Sequence, residues 1–244
     1  MRLTLPEWPA VDLWWINLSG RQLSAGLARV VVTETERNRS QLFATPLLAE
    51  RFLIRRAARS IVLSAYTSIP LQEITYTDSP NGKPSLQWRG LHFNTSFCED
   101  NAIVAVAGRE IGVDVERVRS LPDLDQLAMK ICSPIEQAAL STLCEADRPA
   151  GFFQLWTAKE AVIKWTGEGL SANLSEIAPD QNGRTAGGIV VAIDAPENYC
   201  AALAAADKPT PILRDFATLV SQVKSAGDGP ISGNRDDGEV STGK

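Results

Sequence analysis

The sequence is poor in the residues that build the commonest reactive centres. It holds one histidine, His92, and four cysteines, Cys98, Cys132, Cys144 and Cys200, none spaced as Cys-x-x-Cys. A zinc site of Cys and His ligands is therefore not expected. A Ser-His-Asp triad would have to use His92, which sits in a strand-like stretch beside Phe93. Scattered cysteines without framework spacing fit a reducing compartment, so a cytoplasmic location is expected. No Walker loop and no Gly-x-Gly-x-x-Gly occurs, which removes the standard nucleotide cradles. No apolar run reaches the roughly 18 residues a membrane span needs. The segment Met1 to Trp8 lacks the apolar stretch of a secretory signal. A basic excess is missing too. Twenty-nine acids against 24 bases give a net charge of −5, which argues against nucleic-acid and membrane-surface partners.

What remains is an ordinary globular balance: 244 residues, 44% hydrophobic and 22% charged. That length fits one large domain or two small ones. Val11 to Leu18 reads as a strand. Thr33-Glu34-Thr35-Glu36 and Ser133-Pro134-Ile135-Glu136 are capping boxes, each with a hydroxyl at the N-cap and a carboxylate three residues on. Thr45-Pro46 opens a helix running to about Ala65. Asn81-Gly82 signals a tight turn. Ala102 to Ala107 reads as a strand that Gly108-Arg109 turns back, as a hairpin, into the alternating stretch Ile111 to Glu116. A helix covers about Ala150 to Thr166 and ends at Gly167. Gly188 to Asp194 and Tyr199 to Ala206 read as strands. The order of capping box, longer helix and hairpin occurs twice. This predicts an α+β fold of two similar halves, residues 1–107 and 108–211, followed by a possible helix over 212–224. Residues 225–244 carry hardly any apolar side chain, and a disordered tail is expected there.

Three features carry possible chemistry. In the alternating strand, Asp114 and Glu116 share one face, roughly 6.6 Å apart. They are either two solvated acids on an exposed edge or two ligands for one cation. In the 150–166 helix, Leu155, Ala158, Val162 and Trp165 form a core stripe. Glu160 and Lys164 lie four apart on the opposite face. They are either a surface ion pair or, given the apolar flanks Trp156 and Ile163, part of a cleft. Arg51, Arg55 and Arg59 repeat every four residues, with Arg56 beside them and Arg37 and Arg39 upstream. That stripe is either a solvated helix face or a site for phosphates, which guanidinium forks match. Acids for a divalent metal beside bases for phosphates fit magnesium chemistry.

Gly112-Val113-Asp114-Val115-Glu116, followed about forty residues later by Trp156-Thr157-Ala158-Lys159-Glu160-Ala161-Val162-Ile163-Lys164, resembles the paired signatures of phosphopantetheinyl transferases. Each signature alone is weak; together at this separation they are specific. Gly82-Lys83-Pro84 and Phe93-Asn94-Thr95-Ser96 point to the large, monomeric Sfp-type group, and the resemblance covers about residues 10–206. It implies two similar halves with a site in the cleft between them. It also implies a reaction: the phosphopantetheine arm of coenzyme A passes to a serine of an apo acyl or peptidyl carrier protein, leaving adenosine 3′,5′-bisphosphate. Asp114, Glu116 and Glu160 are then expected to hold magnesium, with manganese as a substitute. Glu160 is the expected base and Lys164 the stabiliser of a phosphate oxygen. Lys83 and Arg51 match positions that contact coenzyme A phosphates, Arg37 and Arg39 fall in the segment serving the 3′-phosphate, and Ser96 is a further candidate contact. Lys159 points away from the Glu160-Lys164 row and is expected to be structural.

One position departs from the family pattern. Phe97 stands where that pattern has histidine, and a phenyl ring offers phosphate no donor. His92 cannot replace it, because an odd offset along a strand points to the other face. One charged hydrogen bond lost is worth roughly 10- to 150-fold in affinity. A weakened member that binds coenzyme A or a carrier without efficient transfer is the alternative. An unrelated metal-dependent phosphohydrolase is a third reading.

Overall fold

A computed structural model of the chain describes residues 2–169 and 172–227. Strand β1 (Ala10–Asn17) leads into helices α1 (Ala25–Val31), α2 (Glu34–Ser40) and α3 (Pro46–Thr67). A small hairpin follows, β2 (Thr77–Asp78) and β3 (Pro84–Ser85), then strands β4 (His92–Cys98), β5 (Asn101–Ala107) and β6 (Ile111–Arg117). Helices α4 (Leu124–Ile131), α5 (Pro134–Thr142) and α6 (Arg148–Thr166) come next. Strands β7 (Ile189–Ile193), β8 (Tyr199–Ala205) and β9 (Thr210–Arg214) precede α7 (Phe216–Gly227). The fold is α+β, as the sequence predicts. Both capping boxes form, with reciprocal bonds between Thr33 and Glu36 and between Ser133 and Glu136. Gly167, at a φ of +75°, ends α6 in the left-handed region.

The strands make two principal sheets, in the orders β4-β5-β1-β9 and β6-β8-β7. Alternation along each strand sorts the side chains into layers. One face of the first sheet, with Trp14, Ile16, Phe93 and Val104, packs on α3, α1 and α7. Its other face, with Val11, Leu13, Ile103 and Ala105, meets Ile111, Val113, Val115 and Leu203 of the second sheet. The far face of the second sheet, through Ala202 and Ala204, receives Ala161 and Val162 of α6. Among the described residues no helix is long and apolar enough to cross a membrane.

Several expectations are corrected. β5 and β6 are not a hairpin. Both edges of β5 are taken, by β4 and β1, and β6 pairs with β8 instead. The true hairpin is β4–β5, turned at Glu99 with a φ of +49°, and Gly108-Arg109 carries the chain across to the second sheet. Ile212 is not helical. Residues 210–214 form β9, parallel to β1, where Arg214 donates to the buried carboxylate of Asp12 at 2.8 Å. The last helix begins only at Phe216. The expected tail overlaps α7 for three residues, and the remainder, 228–244, lies outside the described residues. The core stripe of α6 is also displaced. Leu155, Ala158 and Trp165 are half-buried, whereas Thr157, Lys159, Ala161 and Val162 are buried. The helix is wedged between the second sheet and the α4–α5 layer, so it has no single dry side.

Close approach of α6 to β6 depends on Gly112. A Cβ there would lie 2.1 Å from the Ala161 carbonyl oxygen and 2.2 Å from the Trp165 amide nitrogen. Both obstacles are backbone and cannot rotate away. Gly112→Ala is expected to cost about 3 kcal/mol or more in urea unfolding; a loss within about 0.5 kcal/mol would mean that the helix yields freely.

Candidate active site

The site lies where two sheet edges run side by side. β4 ends the first sheet and β6 ends the second, and no backbone ladder joins them. Side chains of β4 bridge the gap. Asn94 accepts from the Val113 amide at 3.0 Å and Ser96 Oγ accepts from the Val115 amide at 3.3 Å. These bonds hold β6 with Asp114 turned toward α6, on the face that Gly112 clears.

Ser96 is saturated. Its hydroxyl donates to Asp114 Oδ1 at 2.8 Å and accepts from Lys164 Nζ at 2.9 Å as well as from Val115. A hydroxyl has one donor and two acceptor sites, so none is left for a ligand phosphate. Ser96 lines two adjoining cavities with these three bonds already made. Lys164 Nζ also donates to Asp114 Oδ1 at 2.6 Å, so its partner is Asp114 rather than Glu160. Asp114 is 2% exposed, and its Oδ2 is buried without a hydrogen-bond partner.

Asp114, Glu116, Trp156, Glu160 and Lys164 line one cavity of ≈ 340 Å³. Glu116 accepts a weak bond from the Cys98 thiol at 3.3 Å. Burial, then the Asp114 charge, pushes the carboxyls of both Glu116 and Glu160 above their ordinary range. Burial, with Glu116 adding, pushes the Cys98 thiol up to about 11, so it is no ready nucleophile. Among the described residues no group of three His, Cys, Asp or Glu side chains is gathered closely enough to be a ready-made metal cluster.

A larger cavity of ≈ 480 Å³ adjoins it, lined by Arg39, Arg55, Arg56, Arg59 and Lys83. Arg55, Thr95, Ser96, Phe97 and Lys164 line both. Arg56 and Arg59 share one carboxylate, Glu36, at 3.9 and 3.3 Å. Burial and its arginine neighbours lower the Arg55 guanidinium to about 10. Lys83 pairs with Glu110 at 2.7 Å, and the turn that carries it is docked by Asn81 onto the Gly167 carbonyl at 2.7 Å. His92 faces away from Phe97, as the strand parity predicts, and meets the same Glu110 at 2.9 Å.

Arg51 and Arg37, two of the expected phosphate contacts, are not among the residues lining either cavity. Arg51 is tied to Asp100 in the β4–β5 turn. Arg37 donates to the Val32 carbonyl at 2.6 Å, closing the end of α1. Of the i, i+4 stripe, Arg55 and Arg59 line the larger cavity and Arg51, one turn earlier on α3, does not. Cys98 carried no sequence signal at all, since its role depends on β4 lying beside β6. Lys159 is structural, as expected. It is fully buried, and its Nζ donates to Glu136 at 2.8 Å and to the carbonyls of Leu174 and Ile177. It thereby joins α6 to the α5 capping box.

The profile of the 4′-phosphopantetheinyl transferase superfamily matches residues 110–211. The chain is similar to the 4′-phosphopantetheinyl transferase HetI of Nostoc sp., 33% identical over 172 residues, which cover 68% of this chain and 72% of that one. A Synechocystis sp. protein given the same activity provisionally is 33% identical over 172 residues, 69% of this chain and 70% of its own. The 4′-phosphopantetheinyl transferase psf-1 of Bacillus pumilus is 31% identical over 145 residues, covering 59% and 61%.

Two outcomes follow from this geometry. A carboxyl with a raised folded pKa contributes its full share of stability below the unfolded value of about 4.5 and loses it as pH rises through the folded value. Glu160→Gln escapes that loss. Without metal it should melt above the parent at pH 7, with the gap narrowing as pH falls toward 4.5; a lower melting point at pH 7 would contradict the burial argument. Lys159→Ala leaves Glu136 buried without its counter-ion and is expected to cost about 3–5 kcal/mol in urea unfolding. A loss below about 1 kcal/mol would remove its structural role.

Proposed function

The chain belongs to the 4′-phosphopantetheinyl transferase superfamily, and on that premise we propose that it transfers the 4′-phosphopantetheine arm of coenzyme A to a serine of an apo acyl or peptidyl carrier protein. The observation that carries this reading is the pair of joined cavities, one lined by Asp114, Glu116, Glu160 and Lys164 and the other by guanidinium groups. A ligand reaching across both needs a reactive phosphorus in one and a further phosphate in the other. Coenzyme A has that layout. We further read the chain as Sfp-type, with the sheets backed by α3 and by α6 as its two similar halves, about 1–107 and 108–211. β9 and α7 then return to complete the first.

The serine oxygen attacks the phosphorus that bears the pantetheine arm. Its O–H bond breaks, a new P–O bond forms, and the bond to the bridging oxygen of adenosine 3′,5′-bisphosphate breaks. Glu160 takes the serine proton, directly or through a water. Lys164, fixed by Asp114 and Ser96, places an ammonium beside the oxygen that gains charge. Asp114, Glu116 and Glu160 are the side chains for a magnesium ion, or manganese. The donor set is all hard carboxylate oxygen, and the buried, unpartnered Oδ2 of Asp114 is an acceptor with nothing to accept from. When bound, such an ion neutralises pyrophosphate charge. Arg39, Arg56, Arg59 and Lys83 line the cavity that receives the outer, 3′-phosphate. Four free thiols fit a reducing, cytoplasmic setting.

The test mixes the protein with an apo acyl carrier protein or an apo peptidyl carrier domain, coenzyme A and magnesium, and reads intact mass. A metal-dependent phosphopantetheine adduct is expected. Asp114→Ala and Glu160→Ala should slow its formation by at least about 100-fold. Unimpaired transfer by Glu160→Ala would sink its assigned role. Absence of adduct on either carrier, with the protein folded, would overturn the reading.

A further inference from the structure

Arg55 stands at the boundary of the two cavities and lines both, whereas Arg39, Arg56 and Arg59 line only the larger. Its guanidinium carbon lies 3.7 Å from the centre of the Phe97 ring and 5.1 Å from that of Phe52. Among the described residues no carboxylate lies within ion-pair distance of Arg55. Phe97 itself is 51% exposed, an unusual setting for a phenyl ring beside a charged cleft. Stacking explains both facts. A guanidinium whose carbon sits 3.7 Å from a ring centre can turn its π face to the ring and leave its N–H donors for a ligand. Strand parity supplies the placement. Phe97 points to the α3 side of the first sheet, while Ser96 points to β6 and Asp114.

We infer that Phe97 is a positioning residue that holds Arg55 as a fixed clamp for the pyrophosphate of coenzyme A. This rests on the transfer reading above and deepens it. The pyrophosphate is the part of the ligand that must lie at the boundary: one of its phosphorus atoms is the one attacked beside Glu160, and its adenosine side leads to the outer phosphate among Arg39, Arg56 and Arg59. The phenyl ring gives the phosphate no donor of its own. It delivers one from α3, so the contact expected to be lost at position 97 is moved rather than forfeited.

Calorimetric titration of coenzyme A into the full chain, with and without magnesium, reads the clamp directly. Arg55→Ala should raise the Kd roughly 10- to 150-fold. Phe97→Leu keeps apolar bulk but loses the ring face, and should raise it roughly 2- to 30-fold. Phe97→Tyr restores a ring and should recover binding to within about twofold. In an Arg55→Ala background, Phe97→Leu should add nothing, because the ring acts only through Arg55. In transfer assays the Phe97→Leu loss should fall on the KM for coenzyme A, with kcat near the parent's. Parent-like affinity in Phe97→Leu, or additive losses in the double variant, overturns the clamp and leaves the transfer reading standing. A folded parent that neither binds coenzyme A nor modifies a carrier overturns both.

Discussion

Two strand edges without a shared ladder are held at a working distance by the side chains of Asn94 and Ser96. An open sheet edge presents unpaired amides, and proteins usually pair or cover them. Here the amides of Val113 and Val115 are answered by side chains instead of by a strand backbone. The cavity that Ser96, Asp114 and Glu116 line opens beside this junction. Removing either side chain would leave a buried amide unpaired, at about 1–3 kcal/mol. The same Ser96 hydroxyl also fixes Asp114 and Lys164. Stability of the sheet junction and placement of the charged side chains are thus one bond network.

α6 is the second element on which the site depends, and it is held from both sides. Toward β6 it approaches until only a glycine fits. Away from β6 it is drawn by the buried ammonium of Lys159 to the Glu136 carboxylate of the α5 capping box. The adjacent residue, Glu160, faces the cavity with neither hydrogen bond nor ion pair among the described residues. Adjacent helix positions point about 100° apart, so one side chain can anchor while its neighbour stays free. The four-residue step from Glu160 to Lys164 then sets carboxylate and ammonium along the same wall.

Local order was legible wherever a local rule decided it. Thr33-x-x-Glu36, Ser133-x-x-Glu136 and Gly167 fixed helix ends because capping needs only neighbours. Asp114, Glu116, Glu160 and Lys164 were legible because strand and helix periods put them on definable faces, and they do line one cavity. Pairing was less legible. Gly108-Arg109 looks like a turn between two strands, yet it is a passage between sheets, because β5 had already found two partners. Among the arginines, spacing identified the stripe but not which turn of α3 reaches the cleft. That depends on where β4 ends, and Arg51 meets Asp100 there instead. Ser96 was named from the family pattern as a ligand contact, and its bonds to Asp114, Lys164 and the Val115 amide left no mark in local sequence. Phe97 was read for the donor it lacks, since a partner on α3 42 residues earlier leaves no mark in local sequence.

The parallel pairing of β1 with β9 sets an order of events during synthesis. Asp12 and Arg214 are 202 residues apart. At roughly 5–20 residues a second, a ribosome delivers them about 10–40 s apart. Over that interval β1 can pair with β5, and Tyr66 can reach Asp12, but one strand edge stays open and one buried charge lacks its counter-ion. A strand made early is therefore finished late, and a nascent chain paused before residue 210 keeps that edge open to strand-to-strand aggregation.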